Sequence, residues 1–379
     1  MNIDQAPGWL PSFLVPFVTL SYPTDRPAAP DSFPDSNYYR SGVLDGCLMI
    51  TFICVAAVLR DMARLWIWEP FARWKLTRDL VLGKRAATVL AQQKAKTNGA
   101  ANGNGHVSHD HTNGHATHTN GNGYAVVTDD RISKKEAKKM QKSVIRFAEQ
   151  GWSVIYYSFV WCLGLYIHRH LPTRLLDPIG VWYNYPHVPL AGPLKFYYLL
   201  ETSFYSHQIL VINAEARRKD HWQMMTHHVV TVILMVGSYF YNYTRIGCLV
   251  MFLMDWCDIW LPLAKMFRYM GLSTLCDMTF VWFMISWVIT RHWLFVLAIK
   301  STWSAKRTIP PLWDPDRGHF MTSGVFGLFQ AMLISLEIMQ VMWFWMVCRI
   351  AYRVVSGKGA EDERSDDEGD DSEESKKDR

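Results

Sequence analysis

The sequence Thr226-His227-His228-Val229-Val230-Thr231 is followed, one apolar segment later, by Met254-Asp255-Trp256-Cys257-Asp258. Both stretches lie inside apolar runs long enough to cross a bilayer as helices. A charged or imidazole side chain at bilayer depth costs several kcal/mol unless it is paired or faces a cavity, so such residues are functional-site candidates. The two stretches therefore predict a functional site inside a helical membrane protein.

The composition also indicates a polytopic membrane protein. Of the 379 residues, 50% are hydrophobic and 17 are tryptophan. The mean hydropathy of only -0.02 results from two polar blocks that dilute the long apolar runs. We predict an all-α polytopic membrane protein with about seven transmembrane helices. The predicted spans are residues 43–59, 152–167, 194–212, 227–241, 246–263, 278–299 and 320–350.

The distribution of Lys and Arg near the span ends predicts the orientation. It gives a luminal N-terminal segment (1–42), a first transmembrane helix (43–59) and a cytosolic loop (60–141) containing a disordered tract (94–130). A disordered acidic cytosolic tail (354–379) ends the chain. The loop between the last two spans does not follow this rule, because it would be luminal yet is basic. Its basic residues are Lys300, Lys306, Arg307 and Arg317.

The two polar blocks have low-complexity compositions that cannot bury a core. The His-containing tract is either a metal-binding segment or a flexible spacer, and we favour the spacer. In the tail, Ser365 and Ser372 precede acidic residues, which is typical of sites for an acid-directed kinase; a merely solubilising tail explains the composition equally well. The last residues, Lys376-Lys377-Asp378-Arg379, resemble a dilysine retrieval signal and indicate the endoplasmic reticulum. The net charge of +5 reflects segregated basic loops and an acidic tail, and it indicates no nucleic-acid partner.

The spacing of the two stretches predicts that they meet. A short turn near Tyr243 joins their helices, so His227 and Asp258 lie about 24 and 22 Å from that turn at ~1.5 Å per residue. They therefore occupy nearly the same depth. Asp255 and Asp258 share a helix face. His227 and His228 differ by about 100° around their helix, so only one points squarely at the aspartates, and periodicity leaves open which one.

Paired imidazole and carboxylate groups in a dry cavity suit acyl transfer. The carboxylate makes the imidazole a stronger base and a better oriented nucleophile. The alternative is a purely structural set of polar contacts between helices. A di-iron hydroxylase would need many more clustered histidines, and a metal site built from two His and two Asp is a weaker alternative. We predict a catalytic site without a metal.

Several short stretches of the sequence together form one signature: Arg217-Arg218-Lys219-Asp220, Met225 to Thr231, Ser238-Tyr239, Thr244 to Gly247, Met254 to Asp258 and Ala264-Lys265. This set resembles the signature of ceramide synthases, the longevity-assurance group of TLC-domain proteins. The resemblance implies a TLC domain over residues 142–353, with six helices in a barrel around an acyl tunnel. The presence of Met254, where animal members often have His, resembles the fungal type.

The resemblance implies a multi-pass enzyme of the endoplasmic-reticulum membrane that acts in sphingolipid biosynthesis. It would transfer an acyl group from acyl-CoA, a co-substrate, to the amine of a sphingoid base (sphinganine or phytosphingosine) to form (dihydro)ceramide. By motif position, His227 would be the nucleophile or base, His228 its companion, and Asp255 and Asp258 the orienting carboxylates. The covalent route through an acyl-imidazole and direct attack with His227 as general base both remain open.

A basic cytosolic rim is the predicted contact for coenzyme A phosphates, although positive charge beside a membrane is also an ordinary topology signal. The rim residues are Arg217, Arg218, Lys219, Lys265 and Arg268. The aromatic residues of the sixth span line the tunnel or face lipid, and lipid contact is the commoner case. These are Trp282, Phe283, Trp287 and Trp293.

We therefore predict an acyltransferase that needs no cofactor and contacts acyl-CoA, a sphingoid base and membrane lipids, as part of either a homo- or a hetero-oligomer. The alternative from a different class is a non-enzymatic TLC-domain protein that senses or transports lipid.

Overall fold

The computed structural model describes residues 6–101, 132–214 and 220–356, and these residues are largely helical. Short 3-10 turns lie at Ser12–Leu14 and Pro178–Trp182, and π-helical segments lie at Ala63–Trp68 and Val288–Leu294. The α-helices are α1 (Val15–Val18), α2 (Asp45–Met62), α3 (Glu69–Ala101), α4 (Lys134–His170), α5 (Gly192–Ala214), α6 (His221–Phe240), α7 (Thr244–Tyr269), α8 (Ser273–Trp287), α9 (Phe295–Thr308) and α10 (Ser323–Val355).

The helical membrane class predicted from the sequence is confirmed. Among the described residues, four helical stretches are long and apolar enough to cross a membrane: Asp45–Lys94, α7, Ser273–Thr308 and α10. The predicted spans 152–167, 194–212 and 227–241 lie within α4, α5 and α6. Charged and imidazole side chains interrupt these three helices, so their apolar character is weaker than that of the other four.

Residues 60–101 of the predicted first cytosolic loop are helical; the cytosolic location of this segment stays a prediction. Helix α2 continues through the π-helical segment into α3, and Ser133 begins α4 with a reciprocal hydrogen-bond pair to Glu136. Trp68 of the π-helical segment packs directly on Gly151 of α4, where a Cβ atom would come within 2.5 Å of the indole ring. The glycine therefore allows α4 to approach the α2–α3 helix closely. The remainder of the His-containing tract lies outside the described residues.

The N-terminal segment forms a small antiparallel sheet, which the all-α prediction did not include. Its strands are β1 (Pro23–Thr24), β2 (Tyr38–Tyr39) and β3 (Leu190–Ala191), in the order β1-β2-β3. Tyr39 is paired with Pro23 on one side and with Leu190 on the other. The N-terminal segment is thereby attached to the start of α5.

A buried ion pair holds this segment on the helices. Lys195 of α5 is fully buried, and its Nζ lies 2.7 Å from Asp45 Oδ1 at the start of α2. The same ammonium donates hydrogen bonds to the carbonyl oxygens of Ser21 (2.7 Å) and Arg40 (2.8 Å). Tyr239 of α6 donates to Asp45 Oδ2 at 2.7 Å. One cation therefore links the N-terminal segment, α2, α5 and α6.

A second contact fixes the N-terminal segment to α7. Arg245 pairs with Asp31 through its Nη2 atom, and Arg245 is itself buried. Burial raises the pKa of Asp31, but the hydrogen bond and charge of Arg245 more than reverse this effect, so the pKa lies below its ordinary value. Asp31 is therefore ionised near neutral pH and stabilises the α6–α7 end of the protein.

The Lys195–Asp45 pair can be tested by limited proteolysis in detergent. We expect Lys195→Met to expose the tyrosines of the N-terminal segment to chymotrypsin about 100-fold more, because removing one partner of a buried pair costs about 3–5 kcal/mol. Lys300→Met, which removes an exposed charge, serves as the matched control. Equal cleavage rates in wild type and Lys195→Met would contradict this account of the segment.

Candidate active site

The turn between α6 and α7 sets the depth of the predicted site residues. Asn242 has a positive φ of 60° and the Tyr243 amide donates to the Ser238 carbonyl at 2.8 Å, so the chain reverses tightly. His227 of α6 and Asp258 of α7 both line one cavity. The structure thus brings together two predicted residues that lie on different helices.

His227 is the histidine that faces the cavity. Its ring packs edge to face against His228 and Trp343, with centroid distances of 5.3 and 5.0 Å. Its Nδ1 atom is buried and has no hydrogen-bond partner among the described residues. An imidazole with an uncommitted nitrogen beside a cavity can act as a base or as a nucleophile.

His228 lies behind His227, away from the cavity. Its Nδ1 is 2.8 Å from the Met224 carbonyl oxygen, which places the proton on Nδ1 and leaves Nε2 as an acceptor. The charge of Asp258 acts on His228, whereas the electrostatic neighbours of His227 are His228 and Arg291. The sequence left open which histidine faces the aspartates, and the structure divides these two roles between them.

Asp258 pairs with a residue that the sequence analysis did not select. Arg291, in the π-helical segment between α8 and α9, donates to Asp258 Oδ1 at 2.6 Å and to the Met254 carbonyl at 2.8 Å. Its guanidinium stacks over Trp287 at 4.5 Å and also lines the cavity. Asp258, which the resemblance implies as an orienting carboxylate, thus contacts Arg291 in the structure; its orienting role toward His227 stays a prediction. The signal was available, because Arg291 is a charged residue inside a predicted span.

Asp255 is fully buried behind the cavity wall between α5 and α7. Its Oδ1 accepts a hydrogen bond from the Tyr205 hydroxyl at 3.3 Å, and Tyr205 lines the cavity. Glu201, also fully buried, lies within electrostatic range of both aspartates. Glu201 is not among the site residues predicted from the sequence. Asp255 thus reaches the cavity through Tyr205 rather than directly.

The cavity has a polar end and a long apolar remainder. The space along its lining residues, including the part open to solvent, amounts to about 930 Å³. His227, Asp258 and Arg291 mark the polar end, with Gln340 of α10 beside them. The apolar lining comes from Leu234 and Met235 of α6, Ile246, Val250 and Met251 of α7, and Phe326, Phe329, Leu333 and Leu336 of α10.

Gly247 in the cavity wall explains part of the sequence signature. A Cβ atom at this position would come within 2.0 Å of the Tyr198 hydroxyl. Tyr198 in turn forms a buried hydrogen bond with Ser238 of α6. The absence of a side chain at residue 247 thus allows α5, α6 and α7 to meet at the cavity wall.

The structure describes only some of the other residues that were predicted to contact the substrate. Lys265 and Arg268 lie in the last two turns of α7, beyond the polar end of the cavity, with Lys265 half-buried and Arg268 exposed. Arg217, Arg218 and Lys219 lie outside the described residues. Of the span-six aromatics, Trp282 and Trp293 are exposed, whereas Phe283 and Trp287 are buried in a cluster with Cys257 and Trp343. The aromatic lining comes instead from Trp182, Tyr198, Tyr205, Tyr243 and, on α10, Phe326 and Phe329. Within the described ranges, no group of three or more His, Cys, Asp or Glu residues is arranged to hold a metal ion.

Comparisons with known proteins identify the region that contains this site. A family model described as the TLC domain matches residues 146–349. Sphingosine N-acyltransferase lag1 of Schizosaccharomyces pombe is 39% identical over 236 residues, covering 62% of this chain and 60% of that protein. Ceramide Synthase FUM18 of Gibberella moniliformis is 34% identical over 260 residues, covering 61% of this chain and 60% of that protein. Ceramide synthase 4 of Bos taurus is 32% identical over 222 residues, covering 58% of this chain and 54% of that protein. The match thus spans at most about 60% of the length of these relatives.

The Arg291–Asp258 pair generates a stability prediction. We expect Arg291→Met to lower the free energy of unfolding by about 2–3 kcal/mol, less than for a fully dry pair, because the Asp258 side chain keeps 30% of its surface exposed. Adding Asp258→Asn should recover part of the loss, since the unpaired charge is then removed. Thermal unfolding in detergent, followed by tryptophan fluorescence, measures both effects. Additive losses in the double variant would show that the two side chains do not stabilise each other.

Proposed function

The chain belongs to the TLC-domain family, and from that premise we propose that it is a ceramide synthase. The proposed reaction transfers an acyl group from acyl-CoA to the amine of a sphingoid base, sphinganine or phytosphingosine, and forms (dihydro)ceramide. Relatives named sphingosine N-acyltransferase or ceramide synthase support this activity. The observation that carries the proposal is the position of His227 at the polar end of a long apolar cavity.

The cavity suits a fatty acyl chain because its walls are apolar for most of their length. An alkyl chain gains roughly 0.8 kcal/mol for each CH₂ that is removed from water. Binding the chain in the apolar part would leave the thioester at the polar end, beside His227. This placement holds the reacting carbonyl and the imidazole together, which is a major source of rate enhancement.

The proposed covalent route begins when an imidazole nitrogen of His227 attacks the thioester carbon. The C–S bond breaks, the thiol of coenzyme A leaves with a proton, and the acyl group remains on His227 as an acyl-imidazole. The neutral amine of the sphingoid base then attacks the same carbon. The amide bond forms while the C–N bond to the imidazole breaks, and the proton lost by the amine returns to the leaving imidazole nitrogen. In the alternative route, His227 accepts that proton while the amine attacks the thioester directly.

Arg291 is suited to stabilise the negative oxygen that develops in either route. Its guanidinium lines the cavity beside His227, and Asp258 and the Met254 carbonyl hold it in place. Preorganised donors aimed at a developing oxyanion are commonly the largest electrostatic contribution to catalysis. In this proposal Asp258 positions Arg291, and His228 and Asp255 support the site from behind the cavity wall.

The polar mouth of the cavity would receive the coenzyme A portion. Lys265 and Arg268 lie on α7 beyond Asp258, with Lys265 about 10 Å further along the helix at 1.5 Å per residue. They and the basic sequence Arg217-Arg218-Lys219 are the proposed phosphate contacts. Coenzyme A acts here as part of a substrate, so the proposed reaction requires no resident cofactor.

The proposed cellular setting follows from the sequence. Seven spans, six of them in a TLC-type barrel over residues 142–353, would place the N-terminal segment in the lumen of the endoplasmic reticulum and the tail in the cytosol. The tail residues Ser365 and Ser372, proposed sites for an acid-directed kinase, lie outside the described residues. Assembly with a second copy or a different subunit is part of the same proposal.

The proposed activity is tested by N-acylation of sphinganine in detergent-solubilised membranes. We expect wild type to form dihydroceramide and His227→Ala to lose about 10²–10⁴-fold in rate, the usual contribution of a catalytic acid or base. His170→Ala, an exposed histidine at the end of α4, is the matched control and should retain activity. No product from folded wild type, or equal rates for His227→Ala and wild type, would instead favour lipid sensing or transport.

The two routes are separated by incubating the enzyme with acyl-CoA alone. Because the covalent route needs no amine for its first step, we expect an acyl group on the peptide containing His227 after acid quenching. Mass spectrometry of wild type and His227→Ala measures this adduct. An unmodified peptide from an enzyme that still releases product when amine is added would support the general-base route.

A further inference from the structure

Buried side chains line the cavity at the end opposite His227. Trp182, in the 3-10 turn between α4 and α5, has its indole 5.6 Å from the ring of Tyr243, and both residues are less than 5% exposed. The indole Nε1 donates to Ser301 Oγ at 3.3 Å, which fixes its orientation. Thr302 of α9 lies next to Ser301, and it lines the cavity as Trp182 and Tyr243 do. We call Trp182, Tyr243 and Thr302 the floor.

Two loops cover the outer side of the floor and are hydrogen-bonded to the α6–α7 turn. Tyr185 donates its hydroxyl proton to the Tyr241 carbonyl at 2.9 Å and accepts from the Phe320 amide at 3.3 Å. Asn242 Nδ2 donates to the Gly318 carbonyl at 2.8 Å. These contacts involve the segment before α5, the turn, and the segment before α10. We call these hydrogen-bonded segments the cover, and they pack beside the floor.

Near neutral pH, His187 of the cover is uncharged and the nearby Arg245 is paired with Asp31. Burial, together with the charge of Arg245, lowers the pKa of His187 to about 4, so its imidazole is neutral. His187 Nε2 lies 2.9 Å from the Tyr183 carbonyl oxygen. The charge of Arg245 is matched by Asp31. Nothing in these contacts favours opening of the floor toward water in the ordinary pH range.

The distance from the polar end to the floor can be read from the helices. At ~1.5 Å per residue, α7 rises about 18 Å from Ile246 to Asp258, and α10 rises about 21 Å from Phe326 to Gln340. All four residues line the cavity. A C–C bond of ~1.5 Å at a tetrahedral angle advances an extended alkyl chain by about 1.25 Å per carbon. An extended chain of about 14 to 17 carbons would span this distance.

We propose that the floor limits the acyl substrate to the long-chain class of about 14 to 18 carbons and that Trp182 and Thr302 determine this limit. The inference rests on the proposed function, and it adds the substrate class that the resemblance does not give. A chain of 24 to 26 carbons needs about 30 Å, so roughly 10 Å of it would have to occupy the space filled by the floor and its cover. Trp182 contributes a large, rigid side chain to the floor, whereas Thr302 contributes a small one.

The two floor residues allow changes in opposite directions. Trp182→Ala removes the indole and deepens the cavity. We therefore expect the rate with 22-carbon acyl-CoA, relative to the rate with 16-carbon acyl-CoA, to rise by about tenfold, because a few more methylenes can then bind in the apolar cavity. Thr302→Leu adds volume at the same level and should shift the optimum toward 12 and 14 carbons. A residue that mattered only for folding would lower all rates together and could not produce opposite shifts.

The test is N-acylation of sphinganine by the full-length protein with acyl-CoAs of 12 to 26 carbons, each assayed separately for rate and KM. Wild type should prefer 16 and 18 carbons by at least about tenfold over 24 and 26. Tyr183→Ala changes a 55% exposed neighbour of Trp182 and should keep the wild-type profile. If Trp182→Ala does not fold, the shortening expected for Thr302→Leu still tests the proposal.

The outcomes separate this inference from the proposed function. Activity that prefers 24- or 26-carbon chains in wild type, or floor variants whose profiles do not move, would overturn the floor as the limit while leaving the acyltransferase intact. Absence of activity with every chain length from folded wild type would overturn the proposed function itself. Opposite shifts in Trp182→Ala and Thr302→Leu would establish the floor.

Discussion

The buried ammonium of Lys195 is the interaction on which the rest of the structure depends. A lysine with no exposed surface, inside a helix of an apolar protein, is stable only when its charge and all three of its protons have partners. Asp45 and the carbonyls of Ser21 and Arg40 supply them. Because Tyr239 also donates to Asp45, the same pair holds α6, the helix that carries His227 about 18 Å further along. The helix that carries His227 is thus anchored from the opposite end.

The buried ionisable groups within the helices fall into two kinds: those paired with an opposite charge and those with no cation in hydrogen-bonding contact. Where opposite charges meet, as in Lys195–Asp45 and Arg291–Asp258, the pair compensates the cost of removing each charge from water. Where no cation is in hydrogen-bonding contact, as for Glu201 and Asp255, the carboxyl groups are enclosed by protein and one receives a tyrosine hydroxyl. The first kind holds the helices in place. The second lies behind the proposed reaction site, where buried polar groups are retained at a cost in stability.

The sequence was sufficient for the α6–α7 hairpin and its contribution to the site. The positions of His227 and Asp258 relative to a short turn give their depth from helix rise alone, and both line the cavity in the structure. Arg291 could have been recognised as a charge within an apolar run, but its pairing with Asp258 depends on how α8 and α9 pack on α7. The small sheet and the Lys195–Asp45 pair join residues far apart in sequence, for which local periodicity carries no signal. The role of α10 as a cavity wall is a matter of packing for the same reason.

A cavity with the floor at one end determines the order in which the proposed reaction can proceed. In this proposal the methyl end of an acyl chain enters first, because the floor lies at the other end and the ionisable groups His227, Asp258 and Arg291 lie at the polar end. The thioester then stops beside His227 when the chain reaches Trp182, so cavity depth positions the reacting carbonyl as well as selecting chain length. A chain that is too long leaves its carbonyl above His227, and one that is too short lets it slide below. In this proposal the distance of about 20 Å between the floor and the imidazole determines which chain length places the thioester carbonyl beside His227.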